Sequence, residues 1–394
     1  AAEPDAERLA LIDKALASET DEQVKALLSR AKAASLLDSG DRQQRLQAVE
    51  QLAHAQTPET QLVLNQRLAD EADPDVQKAI KAALAGIAEK LAWGERLGAA
   101  FSGISLGSVL LLAALGLAIT YGLMGVINMA HGELIMIGAY ATYLVQIMFQ
   151  RYLPEAAFGW YLVVSIPVAF LASALVGAVL ERGVIRFLYG RPLETLLATF
   201  GISLVLQQTV RSLFGAQNVG VENPAWMSGG IALLPNLTLP YNRIAIIVFA
   251  FAVLGAVAFM IAKTRLGLFV RGVTQNRAMA SCVGVNTART DTYAFALGSG
   301  IAGLAGCALS QIGNVGPDLG QNYIVDSFLV VVLGGVGQLA GTVYAALGLG
   351  LLSKLLEGWT GAVLAKIAVL LFIVIFIQKR PQGIFALKGR SAEA

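Results

Sequence analysis

The chain has 394 residues, of which 56% are hydrophobic and only 14% charged, with a mean hydropathy of +0.64. Soluble domains carry about 25% charged residues, so this composition excludes an ordinary soluble enzyme and points to a membrane protein. The net charge of +2 hides a division: residues 1–96 hold 12 Lys and Arg against 17 Asp and Glu, and residues 97–394 hold 17 against 10.

The sequence opens Ala1-Ala2-Glu3 with neither Met nor an apolar signal core. Small residues remain on the mature side of a secretory cleavage site, so a processed, exported start is expected; an artificially trimmed start has the same look. Residues 5–92 read as helices joined by short polar turns. Leu9, Ile12 and Leu16 form one apolar stripe, Val24, Leu27 and Leu28 a second, and Leu46, Val49 and Leu52 a third. Asp21 and Thr57-Pro58 are helix starts. The stretch 57–84 resembles a HEAT-type helix pair, so residues 1–96 are expected to form a small α-helical extramembrane domain. Such a stack serves either as a docking surface or as a cap that steadies the membrane part.

From residue 97 the pattern changes, and no Asp, Glu, Lys or Arg occurs between Arg96 and Glu133. A membrane span needs about 20 apolar residues. Candidates are 104–126, 134–149, 158–180, 195–214, 244–262, 292–314, 328–352 and 362–377, about eight in all. The expected fold is all-α: a polytopic membrane protein over 97–394 with broken or re-entrant helices, preceded by the small helical domain. Lys and Arg cluster at 182–191, at 263–289 and at Lys379, Arg380, Lys388 and Arg390, so these segments are expected to be cytoplasmic. The loops 215–242 and 315–326 carry no Lys or Arg and are expected outside, together with residues 1–96 and Trp93, Trp160, Trp226 and Trp359. Lys366, one turn inside a span, is expected to snorkel.

The run Tyr121 to Glu133 places Asn128, His131 and Glu133 inside an apolar stretch bracketed by glycines. Backbone at membrane depth needs internal partners, and Gly-interrupted spans mark broken helices that line a pathway. A second stretch, Val332 to Thr342, contains Gly334, Gly335, Gly337 and Gly341. Shifting the first by 209 residues sets Gly125 on Gly334 and Gly132 on Gly341, which suggests a parallel internal repeat. Close helix packing by small residues is the other reading of both stretches.

Three enzyme-like patterns lack their context. His131-Gly132-Glu133 has no Pro-Cys-x-x-Cys after it, Gly103-Ile104-Ser105-Leu106-Gly107 starts a span, and the glycines at 335–341 sit in no strand–helix unit. Cys282 and Cys307 are the only cysteines, so no catalytic residue, metal site or cofactor is expected. The sequence also lacks Gly-Lys-Ser and Gly-Lys-Thr, so it holds no Walker A loop, and any ATP must be bound by another subunit. In the basic segment 263–290, Asn276 can cap a short helix with apolar Ala278, Met279 and Val283. Such a helix suits a partner's groove, although a plain positive-inside loop reads the same way.

Taken together, Gly125 to Glu133, Gln275-Asn276-Arg277-Ala278-Met279-Ala280 with Gly284-Val285, and Arg380-Pro381-Gln382-Gly383-Ile384-Phe385 resemble the permease subunits of branched-chain amino acid type ABC importers. The likeness covers about residues 98–390. The N-terminal domain and the run Leu196 to Gln208 are similar to the urea-transporter branch of that family. The resemblance implies a non-enzymatic transport subunit of the bacterial inner membrane with a periplasmic N-terminal domain and a cytoplasmic C-terminus. It implies as partners a second homologous permease, two cytoplasmic ATPase subunits and a periplasmic solute-binding protein, and no nucleic acid.

Segment 263–290 would then couple to the ATPases through Arg271, Gln275, Asn276, Ala278 and Gly284. Urea is small, neutral and planar and needs polar side chains, not a charge clamp. Asn128, Thr199, Ser203, Gln207 and Gln208 are expected to line its path, since Thr199, Ser203 and Gln207 recur every four residues on one helix face. His131 and Glu133 would stabilise or gate the broken helix, Arg211 would sit at the outer mouth, and Gly334, Gly335 and Gly337 would extend the path. The alternatives are import of branched-chain or other amino acids by the same fold, an uncoupled channel for small amides, and a sensing or interaction role centred on residues 1–96.

Overall fold

A computed structural model describes residues 6–385. The opening Ala1-Ala2-Glu3 and the basic residues Lys388 and Arg390 lie outside them. The chain divides into two compact units, residues 1–98 with Ile231–Leu239, and Ala99–Gly230 with 240–394.

The first unit contains α1 (Ala6–Ser18), α2 (Glu22–Leu36), α3 (Arg42–Ala55), α4 (Pro58–Asp70) and the start of α5 (Pro74–Met124). Thr57 caps α4 reciprocally: its hydroxyl accepts from Thr60 N at 3.3 Å and its own N–H donates to Thr60 Oγ1 at 3.0 Å, with Pro58 at the first helical position. Ala33, Leu37, Val49, Leu52, Leu64, Val76 and Ile80 form the core. Glu71 is buried between Arg45 at 3.3 Å and Arg67 at 3.1 Å, the pairing a buried carboxylate requires. The hairpin of β1 (Gly230–Leu234) and β2 (Leu237–Pro240), expected only as an outer loop, joins this unit: Asn236 Nδ2 donates to Leu91 O at 2.9 Å. Leu64→Ala is expected to cost this unit about 2–5 kcal/mol. Hydrogen exchange should quicken in α2–α4 and the start of α5 alone; unchanged exchange there would count against this core.

The second unit holds the remainder of α5, then α6 (His131–Tyr152), α7 (Tyr161–Gly183), α8 (Pro192–Phe214) and α9 (Tyr241–Lys263). After these come α10 (Arg265–Gln275), α11 (Arg277–Cys282), α12 (Thr287–Ser310), α13 (Leu319–Gly334), α14 (Leu339–Thr360) and α15 (Ala362–Lys379). Among the described residues eight helices are long and apolar enough to cross a membrane, and the fold is all-α. The spanning stretches of α5 and α12 are 89% and 83% buried and form the centre, whereas α9 and α15, at 17% each, form the rim.

Small residues let the central backbones touch. A Cβ on Gly138 of α6 would come within 2.4 Å of Gly303 Cα in α12, and one on Gly303 within 2.4 Å of Ala169 O in α7. Ser173 of α7 donates to Leu134 O of α6 at 2.9 Å across the same junction.

The expected span 328–352 needs correction, because it is two helices. Helix α13 stops at Gly334, Gly335 takes φ +99° and Gly337 φ +78°, and α14 starts at Leu339. Joined by four residues, the two fold back on each other, so Asp326 and Leu329 share a cavity with Leu349, Ser353 and Glu357. A continuous apolar run conceals this break from a hydropathy count. Helix α13, 16 residues and about 24 Å long, is apolar but shorter than the eight membrane-length helices. Lys366 lies 3.5 Å from Asp326 of α13, so a carboxylate faces its ammonium.

Candidate functional site

Helix α5 ends at Met124, and Gly125 follows with φ +63°. Residues 125–130 then run back beside α5 instead of extending it. At the start of α6, His131 Nε2 lies 3.0 Å from Ala113 O, eleven residues before the end of α5 and so about 16 Å back along its axis. A carbonyl can only accept, so Nε2 carries the hydrogen of this bond. The stretch is therefore re-entrant, and its backbone groups find internal partners as membrane depth requires. Asn128 Oδ1 accepts from Ala130 N at 3.0 Å, and Thr199 Oγ1 of α8 accepts from Met129 N at 3.1 Å.

Helix α8 faces this stretch with its buried stripe of Thr195, Thr199, Ser203 and Gln207, spaced by four. Ser203 Oγ donates to Glu133 Oε1 at 2.9 Å. One turn on, Gln207 Nε2 donates to Asp318 Oδ1 at 2.7 Å and to Pro317 O at 3.3 Å. Arg211 Nη2 donates to the same Asp318 oxygen at 2.6 Å. Asn128, His131 and Glu133 are 2%, 0% and 1% exposed, and Asn128 Nδ2, His131 Nδ1 and Glu133 Oε2 make no hydrogen bond. Each of these buried polar atoms calls for a partner that the described residues do not supply.

The structure thus brings together Asn128, His131, Glu133, Thr199, Ser203 and Gln207, with Arg211 at one end. Gln208 departs from the expectation: it is exposed on another face of α8, because 100° of helical rotation separates neighbours. Gly334, Gly335 and Gly337 lie at the far end of α13 from Asp318, about 24 Å away. There Gly337 packs on Gly122 of α5, so the two glycine breaks meet. Gly125 and Gly334 each stand where a helix stops, and Gly132 and Gly341 each lie in the first turn of the next, which matches the 209-residue offset.

The Arg380–Phe385 run has a structural role at this second break. Ile384 N donates to Leu333 O at 2.8 Å and Phe385 N to Gly334 O at 3.4 Å, satisfying the last carbonyls of α13. Phe385 stacks on Tyr344 of α14 at 5.7 Å. Asp318 and this tail contact were not anticipated. An aspartate beside Pro317 in an uncharged stretch was the available signal for the first.

In the 263–290 segment, Asn276 caps α11 by accepting from Met279 N at 2.9 Å, as its position suggested. Arg271, Gln275, Asn276, Ala278 and Gly284 are all exposed, and Gly284 takes φ +90°. Met279 and Val283 project 61% and 72% exposed.

Membrane-length helices interrupted around a buried polar row define a polytopic transport protein of the permease type. Residues 99–378 match the branched-chain amino acid transport system / permease component family, and the chain belongs to that family. It is 27% identical over 293 residues to the high-affinity branched-chain amino acid transport system permease protein LivH of Escherichia coli K12, covering 72% of this chain and 93% of LivH. The Pseudomonas aeruginosa counterpart BraD is also 27% identical, over 295 residues, with 72% and 93% covered. The ribose import permease protein RbsC of E. coli K12 is 27% identical over 201 residues, covering 47% of this chain and 51% of RbsC. No solved structure gives a significant match.

Proposed function

We propose that this chain is the permease subunit of an ATP-driven importer and that its substrate is urea. The observation that carries the transport path is the re-entrant stretch 125–130 beside α8, to which Met129 and Glu133 bond at Thr199 and Ser203, with Asn128 Nδ2 and Glu133 Oε2 left unpartnered. Urea offers the matching groups, N–H donors for a carboxylate oxygen and a carbonyl acceptor for an amide N–H. Among the described residues the cation on this stripe, Arg211, is already paired with Asp318, so a substrate carboxylate has no free guanidinium there. The path would run from Arg211 and Gln207 on the outer side, past Ser203, Glu133, Thr199 and Asn128, to the Gly334–Gly337 break within.

The N-terminal unit supports a substrate other than that of LivH. The family match begins only at residue 99, and about 7% of LivH lies outside its alignment, too little for a counterpart of residues 1–96. Residues 1–96 would be a HEAT-like periplasmic domain, with Lys379 and Arg380 on the cytoplasmic face of the inner membrane. A second homologous permease, two ATPase subunits under α10 and α11, and a periplasmic solute-binding protein would complete the importer. Import of branched-chain amino acids is the second reading, favoured by what LivH and BraD are named for.

Uptake of labelled urea and labelled leucine by the reconstituted complex separates the two. Saturable, ATP-dependent urea uptake with no leucine uptake is expected. Leucine uptake alone would overturn the substrate, and urea flux without the ATPases would make the chain a channel.

A further inference from the structure

Below the spans lies a charged cluster that the substrate path does not use. Glu181 at the end of α7 and Asp291 in the first turns of α12 are 0% and 3% exposed. Burial of two carboxylates is tolerated only when each is matched. Arg277, the first residue of α11, pairs with Asp291 and places its guanidinium 5.2 Å from the centre of the Tyr189 ring. Tyr189 donates its hydroxyl to Glu181 Oε1 at 2.9 Å, and Thr292 of α12 donates to Glu181 Oε2 at 2.6 Å. Arg186 lies 3.6 Å from Glu181 and 3.4 Å from the Thr292 hydroxyl. Burial, then the adjoining Glu181 carboxylate, pushes the Tyr189 phenol above its ordinary range and keeps it a donor.

This cluster joins three elements that are otherwise differently placed. Helix α11 is six residues long, with its tip residues Met279 and Val283 exposed. Helices α7 and α12 pack closely higher up, where a Cβ on Gly177 would meet the Ser299 side chain and one on Gly303 the Ala169 backbone. Helix α12 in turn meets α6, which carries His131 and Glu133, at Gly138 and at Ile135. Close-packed interfaces of this kind move as blocks and do not deform gradually.

We propose that Arg277, with Asp291, Tyr189 and Glu181, is the joint through which displacement of α11 moves α7 and α12 together and so reaches α6. Arg277 is a positioning residue, since it acts through the helices and does not meet substrate. The proposal rests on the importer reading, in which an ATPase grips the exposed side of α11. Asn276 and Met279 would serve that grip, and Arg277, half-exposed but paired with the buried Asp291, transmits it.

The test is the ratio of substrate taken up to ATP hydrolysed by the assembled complex in vesicles. Arg277→Ala is expected to leave assembly and ATP hydrolysis in place and to lower the ratio about tenfold, the scale of one lost charged hydrogen bond. The double exchange Arg277→Asp with Asp291→Arg restores the opposite charges and is expected to recover most of it. A merely structural role would lower yield and thermal stability and leave the ratio of the surviving complex unchanged, and that result overturns the joint. Should Arg277→Ala fail to assemble, Tyr189→Phe decides: it keeps the ring and removes the hydroxyl bond to Glu181, and an unchanged ratio overturns the proposal. A wild-type complex whose uptake ignores ATP defeats the importer reading itself and is recognised before any variant is compared.

Discussion

Gly138→Val is expected to abolish accumulation of folded protein. The added Cβ would lie 2.2 Å from Gly303 O and 2.4 Å from Gly303 Cα. Both are backbone atoms of the most enclosed part of α12, so no side chain can swing aside. The helices must part, and α12 cannot retreat, because a Cβ at Gly303 would already meet Ala169 O and Ser173 of α7. Overpacking a core costs about 1–3 kcal/mol where side chains can adjust, and more is expected where only backbone can move. Gly201→Ala is the control. Nothing lies within 4 Å of its Cβ position in α8, so it is expected to be neutral or stabilising by about 0.5–1 kcal/mol. Detergent-extracted yield and thermal unfolding of the two variants check the contrast. Wild-type yield and melting for Gly138→Val would mean that α6 and α12 do not touch.

The second large effect is expected at the Ser203–Glu133 pair. Ser203→Ala removes the hydroxyl that Glu133 Oε1 accepts from, and Oε2 has no partner. A carboxylate at membrane depth would be left wholly unmatched, at a cost of about 1–3 kcal/mol or more. Transport is expected to fall at least about tenfold, since a buried carboxyl group without a partner favours whichever conformation hydrates it. Glu133→Gln separates shape from charge: its amide oxygen can still accept from Ser203, so folding is expected to survive. A fall in uptake without a fall in yield then assigns the effect to the charge. Full uptake in Glu133→Gln would remove the carboxylate from the pathway and leave it a structural acceptor for Ser203.

Much of the site was legible because helical periodicity is local. Thr199, Ser203 and Gln207 fall on one face by spacing alone, and the structure buries that face. Asn128, His131 and Glu133 stood out because polar groups are costly in an apolar run. Gln208 was misplaced for want of the same rule, being one residue and 100° off the stripe. Asp318 was invisible as a partner, since its meeting with Gln207 and Arg211 spans more than a hundred residues of chain. Shorter separations hid two more: Arg277 meets Asp291 across 14 residues, and the Gly383–Phe385 segment meets the end of α13 across about 50.

The sequence by itself determined the membrane class, the positions of seven of the eight spans, the polar face of α8 and the capped helix at Asn276. Each follows from hydropathy or from spacing within a few residues, which the neighbouring chain does not alter. Only the tertiary structure decided that 328–352 is two helices, that 125–130 turns back beside α5, and which buried charges neutralise one another. Hydropathy is blind to direction, so an apolar helix that reverses at a glycine reads like one that continues. A buried charge, likewise, reports that a partner must exist without saying where along the chain it lies.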